Sequence, residues 1–156
     1  MKKHVIINFG ERFKMYRPEV ALNALQETGA VVLQDAASML PVLALAPAPG
    51  ASVLDLCAAP GSKTCQVLAA VGPADLVLAN DLSRERNERT WRRAKSKAPR
   101  HEGLVVTAHP AEEFPARNVR PFDRVLADVP CSSDGTLRKD PGKLARWGVR
   151  LSLIHI

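Results

Sequence analysis

Between residues 50 and 128, hydrophobic positions fall into short continuous runs separated by longer stretches in which apolar residues are spaced. Short runs rich in Val and Leu are typical of buried strands, and the spaced stretches are typical of helices. Strands that alternate with helices predict right-handed crossovers and a parallel sheet, so we expect a doubly wound α/β fold of a nucleotide-binding kind. The predicted strands cover residues 53–57, 76–80, 104–107 and 123–128, and the predicted helices cover residues 62–71 and 83–97.

The chain before residue 50 has a less regular pattern, and residues 1–16 show no clear period. The uncharged run 36–54 is nearly long enough to span a bilayer, but prolines and Gly50 interrupt it, so no membrane span is expected. Residues 47–50 mark the only plausible boundary, between an N-terminal helical segment, 1–47, and the sheet-forming part, 48–156. The elements predicted in the first segment are a helix start at residues 17–19, a short strand at 30–33 and a helix at 36–45.

Composition indicates one domain with an aliphatic core, since 46% of the 156 residues are hydrophobic and only 4% are aromatic. The net charge of +6 is concentrated in residues 83–100, which hold eight basic and two acidic side chains. Such a cationic segment either binds a phosphate-bearing partner or forms a solvated helix face.

The three cysteines, Cys57, Cys65 and Cys131, form neither a CxxC pair nor an even disulfide set. This favours a reducing compartment and an intracellular protein, with nucleus or cytoplasm left open. His101 and His109 have no partners at ligand spacing, so no metal site is expected.

The turn at Pro60-Gly61 joins a predicted strand to a predicted helix, which is where ligands bind in open α/β sheets. Asp81 follows the second strand, where a carboxylate can accept hydrogen bonds from ribose hydroxyls. The turn lacks G-x-G-x-x-G, which favours an adenosine-type ligand without a pyrophosphate, such as S-adenosylmethionine. The alternative is an ordinary strand-turn-helix joint in which Asp81 caps a helix.

Asp128-Val129-Pro130-Cys131 ends the fourth predicted strand and so faces the same crevice. A thiol and a carboxylate beside a methyl donor suit attack on cytosine, because C5 is unreactive until a thiolate adds at C6. Asp128 would then stabilise charge at N3 of the ring. The alternative is a buried Cys131 and an Asp128 that caps a turn. The polar loop 132–139 is predicted to contact substrate, and Trp147 to stack on a base or pack on the core.

Four ordered blocks carry a family resemblance, together with Arg138, Lys139 and Trp147. The blocks are residues 34–41, 55–64, 79–81 and 128–136, and the resemblance covers residues 27–147. These residues resemble the Sun-domain (Fmu/Nop-type) RNA cytosine-C5 methyltransferases, most of all the tRNA-directed branch. The resemblance implies a Rossmann-like S-adenosylmethionine-dependent methyltransferase fold, S-adenosylmethionine as cofactor, and RNA, specifically tRNA, as partner.

The resemblance also implies roles for particular residues. Asp81 would bind the ribose, and Asp128 would touch both the donor and the target base. Cys131, in the Pro-Cys motif, would help to release the product, while a second cysteine in a Thr-Cys motif on a later strand attacks C6. The residues implied to line the methionine and ribose part of the cofactor are Cys57, Ala58, Ala59, Pro60, Gly61, Ser62 and Lys63.

Two features depart from the family pattern. No Thr-Cys pair follows Cys131, and residues 151–156 do not fit, so we expect the domain 48–156 to be incomplete at its C-terminus and this chain to be inactive. The intact parent would form 5-methylcytosine through a cysteine-C6 adduct. After the third strand, Pro110 stands where the family places an acidic residue that reaches the adenine. This difference predicts a weaker affinity for the adenine.

Two other functions are compatible with these residues. One is a non-catalytic RNA- or cofactor-binding module of the same fold. The other is a DNA cytosine methyltransferase, in which the Pro-Cys cysteine, here Cys131, is itself the nucleophile.

Overall fold

The computed structural model describes residues 4–8, 31–115, 120–131 and 141–142. Four features predicted from the sequence lie outside these residues: the helix start at 17–19, the loop 132–139, Trp147 and the ending 151–156. The elements in chain order are β1 (His4–Asn8), β2 (Val31–Asp35), α1 (Ala36–Leu45), β3 (Val53–Asp55), α2 (Ser62–Ala70), β4 (Val77–Asn80), α3 (Arg84–Lys97), β5 (Leu104–Thr107), a 3₁₀ turn (Ala111–Glu113) and β6 (Arg124–Leu126).

The strands β3 to β6 form a parallel sheet in the order β5-β4-β3-β6. The order reverses at β3, because β4 and β5 extend to one side of it and β6 lies on the other. At the carboxyl end of the sheet, Asp55 is in register with Ala79 of β4 and with Leu126 of β6. The α/β class predicted from the sequence is therefore confirmed, with a topological switch point between β3 and β6, where ligands bind in such folds.

The core lies between the central strands and helices α1 to α3. Every residue of β3 and β4 is buried, as expected for parallel strands covered on both faces. Helix α1 also contributes to this core, because Val42 is 2% exposed even though Pro41 lies inside the helix. The core cluster comprises Val42, Val53, Ala58, Cys65, Val67, Leu68, Val71, Val77, Ala79, Ala94, Leu104 and Leu126.

The N-terminal segment contains a strand that the sequence pattern did not reveal. β1 pairs in parallel with β2, and it lies in residues 1–16, where the sequence shows no clear period. Its five residues are too few to show a period, and its partner lies far along the chain. The boundary at 47–50 stays a prediction. None of the helices in the described ranges is long and apolar enough to cross a membrane.

Candidate active site

The turn after β3 is fixed by backbone hydrogen bonds to both neighbouring strands. Leu56 donates its N–H to Leu126 at 2.8 Å, and Ala58 donates to Asn80 at 2.7 Å. Gly61 has a φ of 92°, and a Cβ there would lie 3.0 Å from the Cα of Thr90 on α3. Only glycine combines this left-handed backbone with so close an approach. Helix α2 can therefore begin immediately after the turn.

Asp81 follows β4 and is 5% exposed, and its carboxylate joins two loops. Oδ2 accepts from the N–H of Ala59 at 3.2 Å, and Oδ1 accepts from the N–H of Ser83 at 3.1 Å. Arg86 lies 3.5 Å from Oδ1. The side-chain cap of α3 is Ser83, which accepts from the N–H of Arg86, so Asp81 is not the cap of that helix.

Asn80, the last residue of β4, connects the ends of three strands through one fully buried amide. Its Nδ2 donates to Leu56 O at 3.0 Å and to His109 O at 2.9 Å. Its Oδ1 accepts from Thr107 Oγ1 at 2.9 Å and from His109 N–H at 3.0 Å. Every hydrogen-bonding position of the amide is used, which fixes the loops on both sides of Asp81.

Lys63 and Asp128 form an ion pair with 2.6 Å between Nζ and Oδ2. Lys63 also donates to the hydroxyl of Ser38 on α1 at 3.1 Å, so it joins α1, α2 and the segment after β6. Asp55 lies beneath this pair and accepts a hydrogen bond from Thr64 at 2.7 Å. Burial raises the pKa of Asp55 to about 6, although the Thr64 hydrogen bond and the Lys63 charge oppose the shift.

These loops enclose a cavity of about 490 Å³, a size typical of small-ligand sites. It collects carboxylate, thiol and guanidinium groups at the carboxyl edge of the sheet. Burial, followed by the charge of Asp81, raises the pKa of the Cys57 thiol, so that thiol remains protonated at neutral pH. The cavity is lined by Leu56, Cys57, Ala59, Asp81, Leu82, Arg86, His109, Pro110, Ala111, Glu112, Asp128, Val129, Pro130 and Cys131.

Of the ten residues predicted to bind the cofactor or take part in catalysis, five line this cavity and five do not. Ala58 is buried in the core, and Lys63 points to Asp128. The predicted roles of all ten stay predictions. The five lining residues are Cys57, Ala59, Asp81, Asp128 and Cys131, and the other five are Ala58, Pro60, Gly61, Ser62 and Lys63.

Arg86 and Glu112 line the cavity without having been identified from the sequence. Arg86 was counted only as one charge of the basic helix, although it lies five residues after Asp81 and so returns to the same end of the strand. Glu112 stands two residues after Pro110, in the 3₁₀ turn. Within the described ranges, no three His, Cys, Asp or Glu side chains cluster as metal ligands would.

Residues 42–148 match the family described as 16S rRNA methyltransferase RsmB/F. A tRNA (cytosine(34)-C(5))-methyltransferase of Drosophila melanogaster is 36% identical over 86% of this chain and 20% of its own length. The 25S rRNA (cytosine-C(5))-methyltransferase nop2 of Schizosaccharomyces pombe is 34% identical over 81% of this chain and 21% of its own length. The chain thus spans about a fifth of the length of these curated relatives.

Solved structures agree with this match. The crystal structure of PH0851 has a TM-score of 0.74 and 27% identity, covering 85% of this chain and 30% of that one. The crystal structure of NSun6 from Pyrococcus horikoshii with SFG, an analogue of S-adenosylmethionine, has a TM-score of 0.58 and 25% identity, covering 69% of this chain and 27% of that one. The sheet is therefore the Rossmann-like sheet of S-adenosylmethionine-dependent methyltransferases, and the chain belongs to the RsmB/F family of RNA cytosine-C5 methyltransferases.

Proposed function

We propose that this chain provides the methyl-donor half of an RNA cytosine-C5 methyltransferase that uses S-adenosylmethionine. The observation that carries the proposal is a cavity at the switch point, where Asp81, Asp128 and Cys131 converge from two strand ends. The site lies between the turn after β3, which approaches α3 closely at Gly61, and the segment after β6, which bears the Pro-Cys motif.

The residues present suit an adenosine-type ligand. Asp81 keeps lone pairs beyond those used by Ala59 and Ser83, since a carboxylate has about four acceptor positions. It would accept the ribose hydroxyls, while Cys57 and Ala59 would border the ribose and methionine part. S-adenosylmethionine, when bound, supplies an electrophilic methyl group. The cavity contributes shape and a fixed carboxylate, and its Cys57 thiol is not the nucleophile because it stays protonated.

The target base would lie on the β6 side of the cavity. Asp128 pairs with Lys63 through Oδ2 at 2.6 Å and is 47% exposed, so its other carboxylate oxygen would reach a ring nitrogen. In this proposal the attacking thiolate, which adds to C6, comes from a Thr-Cys strand of the complete enzyme, and Cys131 helps to release 5-methylcytosine. The names of the relatives include tRNA and rRNA enzymes. We propose tRNA as the substrate and an intracellular location, where thiols remain reduced.

Calorimetric titration of the 156-residue chain with S-adenosylmethionine tests the cofactor site. Asp81→Asn keeps the shape of the side chain but removes its charge, and we expect an affinity loss of about tenfold or more. Asp123→Asn is the matched control, because Asp123 binds Ser52 at the opposite edge of the sheet. Absence of binding heat from the unaltered chain, or equal affinities for all three proteins, would refute the cofactor site.

A binding module without turnover is the second candidate. Cys57 has a raised pKa and Cys65 is buried in α2, which leaves Cys131 as the exposed thiol among the described residues. Transfer of labelled methyl groups from S-adenosylmethionine to tRNA, measured beside the binding titration, separates the two candidates. Binding without transfer by a protein that includes the Thr-Cys strand would favour the module.

A further inference from the structure

Arg86, in the first turn of α3, contacts two different loops with its guanidinium group. Nη2 donates to the carbonyl oxygen of Ala59 at 2.9 Å, and Nη1 lies 3.5 Å from Oδ1 of Asp81. One contact reaches the turn after β3, and the other reaches the residue that follows β4. The side chain is 50% exposed, so the core does not require it there. Arg86 therefore bridges the ends of two neighbouring strands.

Ala59 is held at both of its backbone groups. Its N–H donates to Oδ2 of Asp81 at 3.2 Å, and its carbonyl accepts from Arg86. Because Arg86 also attracts Asp81, these three residues form a closed ring of contacts, and all three line the cavity. The N–H and the carbonyl of Ala59 belong to the two peptide units on either side of its Cα, so these contacts restrain both units.

Two other arginines of α3 behave differently. Arg89 and Arg92 pair with Glu85 and Glu88 one turn earlier on the same helix, and all four side chains are more than half exposed. None of the four lines the 490 Å³ cavity. They provide a control with the same chemistry on the same helix.

The substitution Arg86→Lys would keep the positive charge but lose the planar guanidinium group that contacts two acceptors together.

We propose that Arg86 is a positioning residue for the cofactor, which holds the Ala59 turn and the Asp81 carboxylate in the arrangement that receives the ribose. This inference rests on the proposed function, since it presupposes that the cavity binds S-adenosylmethionine. The effect is preorganisation: a turn already held in place loses less entropy when the ligand binds.

The test compares the unaltered 156-residue chain with Arg86→Gln, Arg86→Lys and Arg89→Gln. Calorimetry with S-adenosylmethionine measures affinity, and thermal unfolding without ligand measures fold stability. For Arg86→Gln we expect a dissociation constant about tenfold higher than that of the unaltered chain. The value for Arg86→Lys should lie between those of these two proteins, and Arg89→Gln should bind as tightly as the unaltered chain. The Tm without ligand should be the same for all four proteins within about 2 °C, because an exposed contact contributes little to folding.

A merely structural role would lower the Tm of the Arg86 variants and leave their affinity unchanged at temperatures well below it. That result, or equal affinity of all four proteins, overturns the inference and leaves the proposed function standing. Absence of binding by the unaltered chain overturns the proposed function and this inference together. The two failures are therefore distinguishable in one set of titrations.

Discussion

Asp55 predicts a pH dependence of stability that is unusual for a carboxyl group. Its pKa is raised from 3.8 to about 6 by burial, so the folded state holds this proton more tightly than the unfolded chain does. Its stabilising contribution is therefore present below about pH 4 and is lost as the pH rises through 6. Relative to Asp55→Asn, the unaltered chain should lose about 3 kcal/mol of unfolding free energy between pH 4 and 7, measured by urea denaturation.

Asp123 provides the opposite control at the other edge of the sheet. Backbone and side-chain hydrogen bonds from Ser52 lower the pKa of this carboxyl, so its contribution is present at neutral pH and is lost on acidification. Relative to Asp123→Asn, the unaltered chain should therefore gain unfolding free energy as the pH rises, which is opposite to the trend expected for Asp55. Parallel curves for the two variants would show that Asp55 is not protonated in the folded state in this pH range.

Pro110 predicts a gain of function at a single residue. It lines the cavity with Asp81, and its side chain has no hydrogen-bonding group. Pro110→Asp would add an acceptor for the adenine amino group, and we expect the dissociation constant of S-adenosylmethionine to fall about three- to tenfold by calorimetry. Pro110→Ala controls for the lost ring and should change little. A weaker affinity for Pro110→Asp would show that the adenine binds elsewhere. Glu112, two residues later, also lines the cavity and would then be the next carboxylate to test.

At the level of single elements, sequence patterns located strands β2 to β6 and helices α1 to α3, but neither β1 nor the ends and contacts of the elements. The strand predicted at 53–57 ends at Asp55, and the one predicted at 123–128 covers only Arg124–Leu126. Cys57 and Asp128 therefore lie on the loops beyond the strands, where both line the cavity. Contacts such as Lys63 with Asp128 depend on how α2 and β6 are placed in space, which no local pattern encodes.

Removal of the Asn80 amide should destabilise the strand ends that it joins. Asn80→Ala would leave polar groups of Leu56, Thr107 and His109 without their partner in a buried region. We expect a loss of about 3 kcal/mol in unfolding free energy by urea denaturation. Thr107→Val removes one of these bonds and should cost about 1 kcal/mol. A cost of only about 1 kcal/mol for Asn80→Ala, equal to that for Thr107→Val, would mean that the other bonds of the amide contribute little to stability.

Helix α3 predicts how RNA binding should depend on salt, if the helix forms part of the RNA surface. Arg84, Arg89 and Arg92 can be changed to Gln together, while Arg86 and Arg93, which contact Ala59 and Ser62, are kept. We expect weaker tRNA binding and a slope of log K against log salt that is smaller by about 2. An unchanged slope in a filter-binding titration would show that α3 is only a solvated face.

At the scale of the whole molecule, binding of the donor and transfer of its methyl group should separate. The cavity that would hold the donor is formed within the described residues, but the Cys57 and Cys65 thiols do not suit attack on C6. Cys57 is protonated, Cys65 is buried, and no Thr-Cys pair follows Cys131 in the sequence. The 156-residue chain should therefore bind S-adenosylmethionine in calorimetry and transfer no labelled methyl groups to tRNA. Efficient transfer that disappears in Cys131→Ser would show instead that Cys131 can act alone as the nucleophile, which would bring this site closer to the DNA-type mechanism.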